Sequence, residues 1–283
     1  MVFLILSVIC SVSVGVIFKM ARRYSINIPQ IVAVNYVFAL ALCYLFFSPD
    51  LTTVGTNAPW GIYIALGILL PSIFLVLAAS IKYMGIVKTD AAQRLSLFIP
   101  IIAAWLIFGE KFNALKITAF GIAFPALLLI LTKPTDNTKN KWMYPALVLL
   151  GFGLIDILFK QIALFTNLPY TTSLFIVFVL ALTIMVLVVA FEMGFKDVKL
   201  NPKNLLFGGL VGVFNFGNIL FYLKAHQSFA ENPSTVFAGM NMGVIILGSL
   251  TGIFVFKEKL SKMNYAGLFL ALIAIVLIVL SQQ

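Results

Sequence analysis

The chain has 283 residues, of which 62% are hydrophobic and only 10% charged, with a formal net charge of +10. A soluble domain carries roughly 25% charged residues, so water is excluded as its main solvent. Nucleic acid is excluded as the meaning of the positive excess, because the basic residues stand in ones and twos at the ends of apolar blocks, where they set membrane topology.

The apolar blocks run to about 20 residues, the length that crosses ~30 Å of hydrocarbon as a helix. In chain order they predict spans at 2–20, 29–48, 60–82, 89–108 and 112–132. The first block has neither a basic leader nor a small-residue cleavage site, so it reads as a helix and not as a signal peptide. Cys10 and Cys43 fall inside apolar blocks without metal-ligand spacing, which predicts two free, buried thiols. The segment Lys133-Pro-Thr-Asp-Asn-Thr-Lys-Asn-Lys141 is the most hydrophilic in the chain and cannot continue a helix. Five further spans follow at 142–165, 169–192, 204–224, 232–255 and 263–281. The expected organisation is therefore a first five-helix unit over 1–132, a polar linker over 133–141 and a second unit over 142–283.

The units echo each other. Phe108-Gly-Glu-Lys-Phe-Asn113 leads into the fifth span and Phe256-Lys-Glu-Lys-Leu-Ser261 into the tenth, an offset of 148 (108 to 256). Phe18-Lys19 precedes Pro29 as Phe159-Lys160 precedes Pro169. Two similar units with an odd number of spans must lie in opposite orientations. The expected fold class is an all-α membrane protein of ten transmembrane helices arranged as two inverted five-helix repeats.

Fifteen of the nineteen Lys and Arg residues fall on one side of this layout, in the loops near Lys19, Lys82, Lys133, Lys196 and Lys257. Only Lys111, Lys116, Lys160 and Lys224 fall on the other. The positive-inside rule makes the fifteen cytoplasmic and both termini external.

Pro100 followed by Gly109-Glu110-Lys111 before the fifth helix, with Glu258-Lys259-Leu260-Ser261 before the tenth, resembles the drug/metabolite transporter superfamily, EamA type. The second copy departs from the first, with Gly248 for Pro100 and Lys257 for Gly109, and Ala119 stands opposite Gly267. The resemblance implies a bacterial inner-membrane exporter of small metabolites. It also implies a central cavity between helices one to four and six to nine, with helices five and ten peripheral.

An ionisable group at mid-bilayer costs at least ~2.5–3.5 kcal/mol, so each deep one calls for a reason. Asp156 lies near the middle of the sixth span, with Lys160 one turn later on the same face. Two readings stand: an internal ion pair, or a carboxylate that takes a coupling proton on one side and releases it on the other. Lys19 and Lys160 end matching helices and either snorkel to the surface or bind an anionic group. Arg94 enters the fourth span by about a turn and either snorkels or faces the pathway. Asn35, Asn215, Asn218 and Asn241 lie near mid-helix, where an amide either contacts a polar solute or bonds a neighbouring helix. Pro71 and Pro100 interrupt the third and fourth spans, and the eighth and ninth are rich in glycine, which serves close packing or marks a binding site at the repeat interface.

The only histidine is His226, and no nucleophile elbow, paired-Asp motif or His/Cys metal cluster occurs, so no enzyme, metal or cofactor is expected. The expectation is a secondary transporter, with export the family-level direction, of small metabolites such as amino acids or related amphiphilic compounds. Its partners are the substrate, the lipid bilayer and a proton as candidate coupling ion, and it works as a monomer or homodimer. A channel and a flippase for a lipid-linked substrate are the alternatives.

Overall fold

The computed structural model describes residues 1–21, 24, 26–55, 58–131, 141–257 and 261–281. Residues 133–140 of the predicted linker over 133–141, Arg22, Arg23 and the Glu258-Lys259-Leu260 segment lie outside the described residues. Within the described residues the chain is all helix: α1 Val2–Ala21, α2 Ile28–Phe47, α3 Trp60–Leu95, α4 Phe98–Leu106, α5 Ala114–Leu131, α6 Met143–Leu164, α7 Tyr170–Phe195, α8 Pro202–Ser228, α9 Pro233–Phe254 and α10 Lys262–Leu280. Eight of these carry segments long and apolar enough to cross a membrane, and two shorter apolar stretches, Ala92–Leu106 and Ala114–Leu129, accompany them. The protein is an integral, multi-pass membrane protein.

Helix starts follow local chemistry. Asn27 and Asn201 cap α2 and α8, each followed by a proline in the first turn, where a missing N–H costs nothing. Ser261 and Asn264 form a capping box on α10. Between α2 and α3, Asp50 caps a single 3-10 turn, Leu51–Thr53. The Thr52 hydroxyl and N–H donate to Asp50 at 2.6 and 2.9 Å and hold its carboxyl below the usual carboxylate range.

The third and fourth predicted spans join differently from the expectation. Helical residues follow one another without a gap from Trp60 to Leu95, because the polar stretch after Lys82 contains good helix formers and no proline. Nine residues of straight helix span about 13 Å, yet the Ser80 and Thr89 hydroxyls are 2.7 Å apart. The chain therefore reverses direction between these two residues, and α3 holds two helical stretches of different direction. Polarity marks where the chain leaves the apolar layer, not where the helix stops. Pro71 is accommodated within α3. Pro100 does not interrupt a span: the chain breaks at 96–97 and Pro100 sits in the first turn of α4, where it removes no helical bond.

The two halves interlock. α1 packs on α8 and α9, α6 packs on α3 and α4, and α2 and α7 pack on each other and on α8 and α3 respectively. α5 and α10 pair along their length at the edge of the bundle. They are cross-tied at both ends: Asn113 Nδ2 donates to Ser281 O at 2.9 Å, and Asn264 Nδ2 to Leu129 O at 3.1 Å. Each tie joins the start of one helix to the end of the other, so the pair is antiparallel. The described residues with positive φ also fall in matching pairs. Ser48 (φ 40°) and Asp197 (φ 51°) end α2 and α7, and Gly109 (φ 66°) and Lys257 (φ 54°) precede α5 and α10.

Glycine sets the closest approach. A Cβ on Gly212 would lie 2.8 Å from Asn35 O, and one on Gly208 2.9 Å from Ile31 O. Backbone cannot yield as a side chain can, so α2 and α8 meet at these glycines only because no side chain intervenes. Gly248, by contrast, faces open space. Both thiols are free, Cys43 buried as expected and Cys10 only partly so.

Candidate functional site

Polar chemistry inside the bundle collects in three places. The first surrounds Asp156, half-buried on α6. Its Oδ1 accepts a 2.8 Å hydrogen bond from Tyr222 OH of α8. The internal ion pair with Lys160 does not form. Lys160 does not snorkel either: it is fully buried, and its Nζ donates to Ala230 O at 2.7 Å, with longer contacts of 3.4 and 3.5 Å to His226 O and Phe229 O. These carbonyls lie at and just beyond the end of α8, where the helix dipole also favours a cation.

The second place adjoins it at the same end of the bundle. Gly109, in the left-handed conformation after α4, turns the chain so that Glu110 points inward. Glu110 is 3% exposed and forms a 2.6 Å ion pair with Lys116 of α5, itself 2% exposed. Ser234 N–H, in the first turn of α9, donates to Glu110 Oε2 at 2.9 Å, and the Ser234 hydroxyl donates to Oε1. Lys116 Nζ also donates to Asn232 Oδ1 at 3.0 Å. A carboxylate at a helix N-terminus and an ammonium at a helix C-terminus are each favoured by the helix dipoles, so the α8–α9 turn is held at both ends by charge. His226 is buried between the Tyr222 and Phe237 rings, with centroids at 4.6 and 4.8 Å.

The third is the line of amides. Asn215 Nδ2 donates to Asn35 Oδ1 at 3.0 Å, joining α8 to α2. Ser7 Oγ donates to Asn218 Oδ1 at 2.8 Å, joining α1 to α8. Asn241 Nδ2 bonds Phe237 O of its own helix at 3.0 Å. Asn215, Asn218 and Asn241 thus take hydrogen-bond partners on three different helices, α2, α1 and α9. Asn35 Nδ2, the neighbouring Tyr36 OH and both His226 ring nitrogens are buried with no hydrogen-bond partner. Lys19 is exposed, with its ammonium 3.8 Å from the Phe256 ring centroid, and Arg94 is half-buried at the end of α3.

A cavity of about 350 Å³ opens between α1, α8 and α9, lined by Ile9, Val12, Ser13, Val16, Ile17, Phe214, Leu247 and Thr251. Both hydroxyls in its wall bond their own helices, Ser13 to Ile9 O at 2.9 Å and Thr251 to Leu247 O at 2.7 Å. Its surface is therefore largely apolar. It flanks the C-terminal parts of α1 and α9, and so lies toward the Lys19 end, opposite Glu110.

The EamA-like transporter family matches this sequence twice, over residues 1–132 and 133–280. The chain belongs to the EamA-like transporter family. A relative from Haemophilus influenzae (strain ATCC 51907 / DSM 11121 / KW20 / Rd), described as an uncharacterized protein, is 44% identical over 284 residues, covering 96% of this chain and 95% of its own. A crystal structure covering 99% of this chain and 96% of its own superposes with a TM-score of 0.75 at 9% identity, a likeness of fold alone.

Sequence reasoning passed over three residues that the EamA fold brings into these clusters. Glu110 and Lys116 counted only toward a motif and a charge balance, and Tyr222 was not singled out at all. The signal for Glu110 was present: an acidic residue at the end of a span, in the segment that both halves share.

Proposed function

We propose that the chain is a secondary active transporter, an exporter of small metabolites such as amino acids or related amphiphilic compounds, that works by alternating access between two inverted five-helix repeats. The observation that carries this reading is the opposition of two ends. The bundle holds a 350 Å³ cavity toward Lys19 and a buried charged closure at Glu110. The exchange of helix partners between halves and the matched left-handed residues support the inverted repeat. On this reading the ten helices are ten spans, and the positive-inside count places the Lys19 end in the cytoplasm and both termini outside, in a bacterial inner membrane.

Asp156 is the proton-coupling carboxylate, oriented by Tyr222. Asn35 Nδ2 and Tyr36 OH, buried without a hydrogen-bond partner, supply unmet groups for a polar solute. Uptake of labelled amino acids and aromatic metabolites into proteoliposomes under an imposed pH gradient tests the reading. Saturable, gradient-driven uptake of one class is the expected result. Ohmic conductance without saturation contradicts it and favours a channel.

A further inference from the structure

The strongest charges buried in this apolar protein are not at the cavity. Glu110 and Lys116 belong to the first half, and they grip Asn232 and Ser234 at the start of α9 in the second. Lys160 holds the end of α8 just before the same turn. α9 then runs from this turn to the cavity, which it lines with Leu247 and Thr251. One helix therefore connects the closed end to the open one. A buried ion pair contributes little net stability against an apolar replacement, because desolvation offsets the attraction. It does supply two discrete states, paired and dry or separated and hydrated.

We infer that Glu110, Lys116 and Lys160 form a latch on the α8–α9 turn that closes the bundle at the Glu110 end, and that it opens and re-forms once in each transport cycle. The inference rests on the alternating-access reading for the word cycle. The closure itself rests only on the contacts described. In the latched state the start of α9 is buried, with Ser234 and Ala238, one turn apart, both 0% exposed. When the latch opens, the carboxylate and ammonium groups gain water and the first turns of α9 become accessible from that end.

Two measurements on the full-length protein test this, in a background with Cys10→Ser and Cys43→Ala. The first places a reporter thiol with Ala238→Cys and measures labelling by a membrane-impermeant maleimide in vesicles of each orientation. Adding Glu110→Gln keeps the side-chain size and removes the charge. The expected result is labelling about tenfold faster from the Glu110 end, with no change from the other, while Lys116→Arg retains protection. Unchanged labelling in a monodisperse Glu110→Gln protein overturns the latch, whatever is transported. The second measurement joins Glu110→Cys to Ser234→Cys with a short bis-methanethiosulfonate, whose disulfide links a thiol reductant cleaves, so that a covalent tie stands in for the charge the substitution removes. The bridge should stop substrate flux and reduction should restore it. Flux that survives the bridge overturns the cyclic opening. Failure of the transporter reading is seen separately, as the absence of saturable flux in the unmodified protein.

Discussion

Glu110 and Ser234 lie 124 positions apart in opposite halves of the chain, yet the Ser234 N–H donates to the Glu110 carboxylate at 2.9 Å in a site that water does not reach. The first half thereby caps a helix of the second. That relationship makes a loop motif part of the bundle's interior.

Removing one member of this pair leaves the other buried and unpaired, at a cost of about 3–5 kcal/mol. Glu110→Gln and Lys116→Met should each lower the thermal midpoint in detergent by several degrees. The double variant should lose clearly less than the two losses combined, since neither charge is then stranded. Additive losses measured in this cycle would mean that the ion pair carries no coupling energy.

Gly212→Ala and Gly248→Ala are chemically identical changes with opposite expectations. At Gly212 the methyl meets Asn35 O at 2.8 Å, so α2 and α8 must separate, and a loss of about 1–3 kcal/mol is expected. At Gly248 nothing lies within 4 Å, and replacing a helical glycine there should be neutral or stabilising by up to ~1 kcal/mol. Thermal unfolding of the two purified variants compares them directly.

Lys257 occupies the left-handed conformation that its counterpart Gly109 adopts without strain. A non-glycine residue there costs roughly 1–2 kcal/mol. Lys257→Gly should raise stability by about that amount, less the added chain entropy, and Gly109→Ala should lower it. A Lys257→Gly protein no more stable than the parent would remove strain from the account.

Asp156→Asn tests coupling apart from folding, because the amide still accepts the Tyr222 hydrogen bond. Exchange of substrate across the membrane should persist while its response to a pH gradient disappears. Tyr222→Phe should weaken that response without abolishing it. Intact gradient dependence in Asp156→Asn would exclude Asp156 as the coupling group.

Much of the fold was legible because hydropathy and repetition speak of length and order. Among the described residues, eight of the ten helices run close to their predicted spans, and only the extension of α3 to Leu95 and the late start of α4 were hidden. Helix formers such as Ala91, Ala92 and Gln93 satisfy the backbone whether or not the membrane has been left behind. The site was legible only in part. Asp156 stood out because a charge in an apolar run is rare, but its partner Tyr222 lies on another helix and carries no sequence mark. Lys160 was misplaced for a related reason. Spacing offers Asp156 one turn away, and only the packing of α8 brings three carbonyl oxygens closer. The amides were visible individually, but their division between α2 and α1 depends on rotations that no spacing encodes.

The measurement closest to the central claim is substrate counterflow in proteoliposomes held at equal pH and zero potential. An alternating-access carrier returns faster when loaded, so unlabelled substrate trapped inside should accelerate entry of labelled substrate and drive a transient overshoot above equilibrium. Labelled substrate that rises only to equilibrium, at a rate indifferent to what lies on the far side, would contradict alternating access.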